Sequence, residues 1–491
     1  MILTGIVILP LIAGLLSLAV KSQPWLERLN LLTFGAVAVL AATLAGEVQV
    51  TGVVSGLNGF LYADALSALV AGLIAFVALV TGIYAIGYFR EDERIQKVTV
   101  RQTRWYYRLT PFFVFAMQLV VLTNSLGVMW VAIEGTTLAS VLLIAFYNEK
   151  TSIEAAWKYI IIGSLGISMA LFGTIMTYYS AVGVLGTDAS ASGLNWSVLA
   201  AVGDKLNPRA MRLAFLFVLL GYGTKAGLVP MHTWKPDAYS EAPAPATALL
   251  GAGVINCAIY AIMRFSALGT ACLGHGFVGN VLVAFGLGSV LLAAPFVLVQ
   301  RNYRRLLAYS SIEHAGIMVA ALGFGGQLGA LGAVLHMTFH AVTKPLVFFC
   351  AGNVQQHFGT PYLRKITGVI HVLPWTGGLF LMVTLAITGV PPFSIFQSEF
   401  TILSAGLAAN RGWATALFVV GVVTIFSGFL VHMSKLNLGT PRSEAPIKGE
   451  SPWKLGAMVI VAVVIICLGF WLPAPLFQLI EAATKIVGGN P

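Results

Sequence analysis

Apolar runs about twenty residues long recur along this chain from end to end, and that feature constrains its fold most. A run of that length crosses about 30 Å of hydrocarbon as a helix, the element that satisfies its own backbone hydrogen bonds where no water is present. The runs predict an all-α polytopic membrane protein of about 14 transmembrane helices, centred near residues 11, 38, 75, 116, 136, 168, 219, 255, 288, 318, 341, 380, 422 and 465. Only 9% of the 491 residues are charged, against roughly 25% in soluble domains. The first run, MILTGIVILPLIAGLLSLAV, has neither a basic flank nor a small-residue cleavage site, so it reads as the first helix rather than a removed leader.

The net charge of +10 collects in the connections between spans. Lys21, Arg28, the 90–108 stretch, Lys150, the Arg301/Arg304/Arg305 cluster, Arg364, Lys365 and the 435–454 stretch follow odd-numbered helices. By the positive-inside rule these loops face inward, placing both termini on the outer, periplasmic side of a prokaryotic inner membrane. The same rule accounts for the basic charge without nucleic-acid binding. Cysteines 257, 272, 350 and 467 form no C-x-x-C pair, which argues against an iron–sulfur or zinc site in this chain. Cys257, Cys350 and Cys467, lying in apolar runs, are expected to be buried.

Two stretches interrupt helical continuity. GYGTKAGLVPMHTWKPDAYSEAPAPA (221–246) holds four prolines, and TGVPPFSIFQSEF (388–400) holds two. Broken helices at membrane depth must be lined by protein or water, and transported ions often bind there. The two breaks predict two inverted five-helix repeats, 111–268 (helices 4–8) and 269–436 (helices 9–13). Residues 1–110 would add three helices and a basic inner loop, and 437–491 a loop and a fourteenth helix.

An ionisable group inside a span costs several kcal/mol unless paired or hydrated, so each is a functional candidate. Glu134 is the only acid of the fifth run, with Thr136 and Thr137 close enough to satisfy it. Lys225 stands at the first break beside Gly223 and Gly227, where an amine with one movable carboxylate partner, such as Glu134, could take and release a proton. His336, His340 and Lys344, in HMTFHAVTKPLVFF, recur every four residues and share one slanting helix face. Imidazoles pass protons readily and a buried lysine stores one. Metal ligation by the two histidines lacks an evident third ligand. Glu399 follows the second break. Lys158 is four residues after Glu154, an ordinary helical ion-pair spacing; Asp237 could brace the broken helix or pair with another subunit; His314, beside Glu313, could extend the polar route inward. Asp64 and Lys235 have no assigned role. The series Glu134, Lys225, His336, Lys344, Glu399 fits lateral proton movement, and the chain has no nucleophile–base set, dinucleotide fingerprint or Walker sequence.

The segments MHTWKPDAYSEAPAPATALL, YRRLLAYSSIEHAG and HMTFHAVTKPLVFFCAGNV resemble the antiporter-like family. That family includes large membrane subunits of respiratory complex I, multi-subunit cation/proton antiporters and group 4 membrane-bound hydrogenases. The family resemblance covers roughly residues 60 to 435, and within it the wording GYGTK, SEAPAP and LLAYSSIEHAG is most similar to the hydrogenase-4 component F type. The resemblance implies that Glu134 and Lys225 form a proton-coupling pair, that His336, His340 and Lys344 continue the relay, and that Glu399 ends it. It also exposes two departures: Asn256 where many members carry lysine, so that water or His336 would carry the central step, and Lys235 where leucine is usual. The tail after Lys435 has room for one more span but not for a long lateral helix.

On this resemblance the chain would be a proton-translocating subunit of a redox-driven complex, formate hydrogenlyase-like or complex I-like. Its expected partners are other antiporter-like membrane subunits, a membrane anchor, peripheral redox subunits and membrane lipid. Iron–sulfur clusters, and a nickel–iron centre in the hydrogenase branch, would belong to partner subunits, with no cofactor in this chain. The alternatives are a subunit of a sodium/proton antiporter, with sodium as the second ion, an inorganic-carbon uptake coupling subunit, or a passive scaffold.

Overall fold

The computed structural model describes residues 1–186, 192–441 and 449–488, and nearly every element in it is a helix. The helices are α1 (Ile2–Ala19), α2 (Gln23–Thr51), α3 (Ala65–Arg94), α4 (Val100–Leu122), α5 (Leu126–Ile144) and α6 (Lys150–Leu185). The first interrupted span follows as α7 (Pro208–Ala226) and α8 (Trp234–Glu241). Then come α9 (Ala244–Leu273), α10 (His275–Val299), α11 (Tyr303–Phe324) and α12 (Gly326–Phe358). The second interrupted span is α13 (Pro374–Ile387) and α14 (Ser394–Ala408), followed by α15 (Gly412–Leu438), α16 (Pro452–Phe470) and α17 (Ala474–Val487). A two-stranded hairpin, Val54–Gly56 paired antiparallel with Leu61–Ala63, is the only sheet among the described residues.

Twelve of these helices are long and apolar enough to cross a membrane. The expected runs near 219 and 380 are not among the twelve; they fall in the two helices interrupted by proline and glycine. The chain is therefore a multi-pass membrane protein. One element was not foreseen: α17 is an amphipathic helix that lays Leu479, Ile480 and Ala483 back against the bundle.

The bundle has an inside and a rim. The apolar stretches of α9, α11 and α12 are wholly enclosed, and most of α3 is too. By contrast α1, α2, α6, α15 and α16 turn well over half of theirs outward. Cys467 shows the difference: it was expected to be buried, but it lies on the outer side of α16. Its run is apolar all round, and in lipid both faces of a helix are apolar, so hydropathy does not identify the packed side. Cys257 and Cys350, on the enclosed helices, are buried.

Small residues allow the close approaches that membrane helices need in place of a hydrophobic drive. A Cβ on Gly221 of α7 would stand 2.5 Å from the backbone nitrogen of Ala170 in α6. This contact, one turn before Lys225, draws α7 against α6 and seats the lysine beside Tyr159.

A buried relay in two clusters

The first break begins where Gly227 caps α7 in the left-handed conformation, φ 80°. Thr224 and Lys225, in the last turn, face inward. The Lys225 amine donates to Thr137 Oγ1 at 2.6 Å and to Tyr159 Oη at 2.7 Å, and stands 4.7 Å from the Tyr159 ring centre. Thr137 Oγ1 in turn donates to Glu134 Oε2 at 3.0 Å. Glu134 and Lys225 are thus joined through a hydroxyl rather than as a direct ion pair. Thr136, the other expected partner of Glu134, turns away and donates to the Ile133 carbonyl. Ser140 shares a 2.7 Å hydrogen bond with Tyr159 and closes the cluster. Lys225 is buried, whereas Glu134 keeps part of its surface open on the flank of α5.

The second cluster gathers around α11 and α12. His336, His340 and Lys344 lie on one buried face, and His314 of α11 sits against both imidazoles with ring centres 5.1 Å apart in each case. His314 Nδ1 and His336 Nε2 are 2.9 Å apart, and His336 Nδ1 is 2.9 Å from Ser398 Oγ. His340 is fully enclosed, and among the described residues neither of its ring nitrogens has a hydrogen-bond partner. The Lys344 amine donates to Ser310 Oγ at 3.2 Å. Ser310, the partner of Lys344, lines a small cavity together with Glu313, Thr388, Glu399 and apolar side chains of α13 and α15, so both carboxylates open on the same space as that hydroxyl. The second break repeats the logic of the first: Gly389 has φ 71°, and a Cβ there would collide with the Glu399 carboxylate.

For a metal, the structure groups not the expected His336 and His340 but His314, His336 and Glu399. One ligand atom each of His314, His336 and Glu399 lies within 4.8 Å of the others. However, both ring nitrogens of His336 are already engaged, by His314 and Ser398, so the group is built as a hydrogen-bonded chain.

The remaining sequence candidates, His314, Lys158 and Asp237, separate. His314 belongs to the second cluster. Lys158 is 45% exposed, paired with Glu154 at 2.6 Å and with Asp237 at 3.0 Å. Asp237 also holds Arg305 at 2.5 Å, so it ties α6 and α11 to α8 and braces the broken helix within the chain. Asp64 finds Arg264, a cation inside α9 that the sequence reading passed over: two bonds of 2.6 and 2.7 Å join them, and both are buried. Tyr159, Ser310 and Ser398 were also missed, since a hydroxyl in an apolar run gives no signal without its neighbour.

Residues 123–438 match the family described as "NADH:quinone oxidoreductase/Mrp antiporter, TM", and residues 57–97 match "NADH-Ubiquinone oxidoreductase (complex I), chain 5 N-terminus". The chain is 36% identical over 392 residues to a hydrogenase-4 component F homolog of Methylacidiphilum infernorum, covering 80% of this chain and 82% of the relative. It is 30% identical over 454 residues to NADH-quinone oxidoreductase subunit N of Desulforudis audaxviator, covering 90% and 87%. Its fold superposes with a TM-score of 0.86, at 25% identity and over 99% of this chain and 97% of the other, on a chain of the membrane-bound sulfane sulfur reductase, an archaeal respiratory membrane complex. With its two broken helices and the enclosed polar clusters beside them, the chain belongs to the antiporter-like membrane-subunit family shared by complex I, hydrogenase-4 and Mrp-type complexes.

Proposed function

We propose that this chain moves protons across the cytoplasmic membrane of a prokaryote as one subunit of a redox-driven complex. The observation that carries the reading is the continuous donor chain from Lys225 through Thr137 to Glu134. A threonine hydroxyl can accept a proton from the ammonium while giving its own to the carboxylate, so the charge on Lys225 is tied to that on Glu134 without direct contact. An ammonium stranded in a membrane interior costs several kcal/mol, so a change at the open flank of Glu134 would change whether Lys225 keeps its proton. His340, Lys344 and the Glu313/Glu399 pair would receive and release it on the other side.

The halves 111–268 and 269–436 would act as the two repeats, each with a broken helix beside its charged cluster, and the basic loops would place both termini outside. Iron–sulfur clusters, and a nickel–iron centre in a hydrogenase-like assembly, would reside in peripheral partner subunits, and this chain would supply the proton path alone. The family's own description includes Mrp antiporters, which keeps a second reading, a sodium/proton exchanger subunit.

The test is redox-driven proton uptake by the purified complex in vesicles, comparing wild type with Lys225→Ala. We expect all subunits to be retained and proton uptake to fall at least tenfold. Unchanged uptake and turnover would make the chain a scaffold; purification without redox subunits, with sodium-dependent proton exchange, would establish the exchanger.

A further inference from the structure

Lys235 is fully enclosed, with 0% of its surface exposed, and among the described residues none of the ion pairs includes it. Its amine donates to the Ala226 carbonyl and faces the Ser311 carbonyl at 3.5 Å. A buried ammonium is normally retained only with a counter-charge, and here it has neutral acceptors alone. Its position is also particular. Ala226 immediately follows Lys225, and Trp234, the residue before Lys235, packs on the Tyr159 ring that Lys225 hydrogen-bonds, centres 4.8 Å apart. On the other side, the Ser311 carbonyl that Lys235 faces adjoins Ser310, the partner of Lys344, in the cluster that also holds His314 and His340. The amine is 5.7 Å from the ring centre of Tyr239, whose buried hydroxyl, like both nitrogens of His340, has no hydrogen-bond partner among the described residues. Gly227 makes the space: a Cβ there would stand 2.8 Å from the Lys235 nitrogen.

We propose that Lys235 is the proton-carrying residue that joins the two clusters, a role resting on the proton-translocating reading above. In one step an N–H bond breaks at the Lys225 ammonium and one forms at the neutral Lys235 amine. In the next, the Lys235 ammonium loses that proton and an N–H bond forms at a free nitrogen of His340. No electron moves and no co-reactant is consumed. The competing role is a purely structural one, an ammonium capping the carbonyl end of α7.

Lys235→Gln and Lys235→Arg separate the two roles, because both side chains can still donate to the Ala226 carbonyl but neither releases and regains a proton. The intact complex in vesicles is assayed for subunit content, thermal midpoint and redox-driven proton uptake, with Lys225→Ala alongside. The expected result is assembly and midpoint near wild type with uptake down tenfold or more in both Lys235 variants. Wild-type uptake in either assembled variant overturns the proposal, and so does failure of both to assemble, which would make the lysine a cap. If Lys225→Ala cuts uptake while the Lys235 variants do not, only this inference falls; if Lys225→Ala is also silent, the proton-translocating reading falls with it.

Discussion

At the scale of single residues, Thr137 shows how much depends on one hydroxyl. It takes a hydrogen bond from Lys225 at 2.6 Å and gives one to Glu134 at 3.0 Å. Thr137→Ala should therefore uncouple two charged groups that both remain in place. We expect at least about a tenfold loss of coupled proton uptake, corresponding to about 1.4 kcal/mol, with Thr137→Ser recovering most of it. Equal uptake in wild type and Thr137→Ala would show that the two groups communicate by another route. The charged candidates were legible because an ionisable side chain in an apolar run is conspicuous. Their connectors were not, since Thr137, Tyr159, Ser310 and Ser398 are acceptable membrane residues anywhere and become specific only by what they meet.

At the scale of elements, the breaks matter more than the helices. Prolines and glycines in 221–246 and 388–400 marked both in the sequence, since proline lacks the amide that a helix interior requires. What the pattern left open is where each charge would sit relative to its break. Gly389 settles that for Glu399: its positive φ turns the chain, and its lack of a Cβ leaves room for the carboxylate. Gly389→Ala should cost about 1–2 kcal/mol in backbone strain and also displace Glu399. Gly274→Ala is the control, with a similar φ of 73° but open space around the added carbon. Both should lower the thermal midpoint in detergent, and only Gly389→Ala should lower proton uptake; equal uptake in the two would leave Glu399 indifferent to its position.

At the scale of the whole molecule, the buried Asp64–Arg264 pair links the start of α3 to α9, two of the enclosed helices. Removing one partner strands a charge, so Asp64→Ala should destabilise the subunit by about 3–5 kcal/mol, whereas replacing both with leucine should cost much less. Thermal unfolding of the purified complex reads the difference, and equal losses in the single and double variants would deny the pair that role. The sequence by itself determined that this chain is a helical membrane protein, where proline and glycine interrupt its spans and which family its motifs resemble. Hydropathy, proline and glycine carry that information because each acts locally along the chain. Only the tertiary structure decided that α9, α11 and α12 form the enclosed centre, that Cys467 faces outward, that His314 wedges between His336 and His340, and that Lys235 stands between two clusters. Those outcomes depend on which helix faces meet, and in a bilayer, where lipid and protein interior are equally apolar, hydrophobicity does not encode that choice.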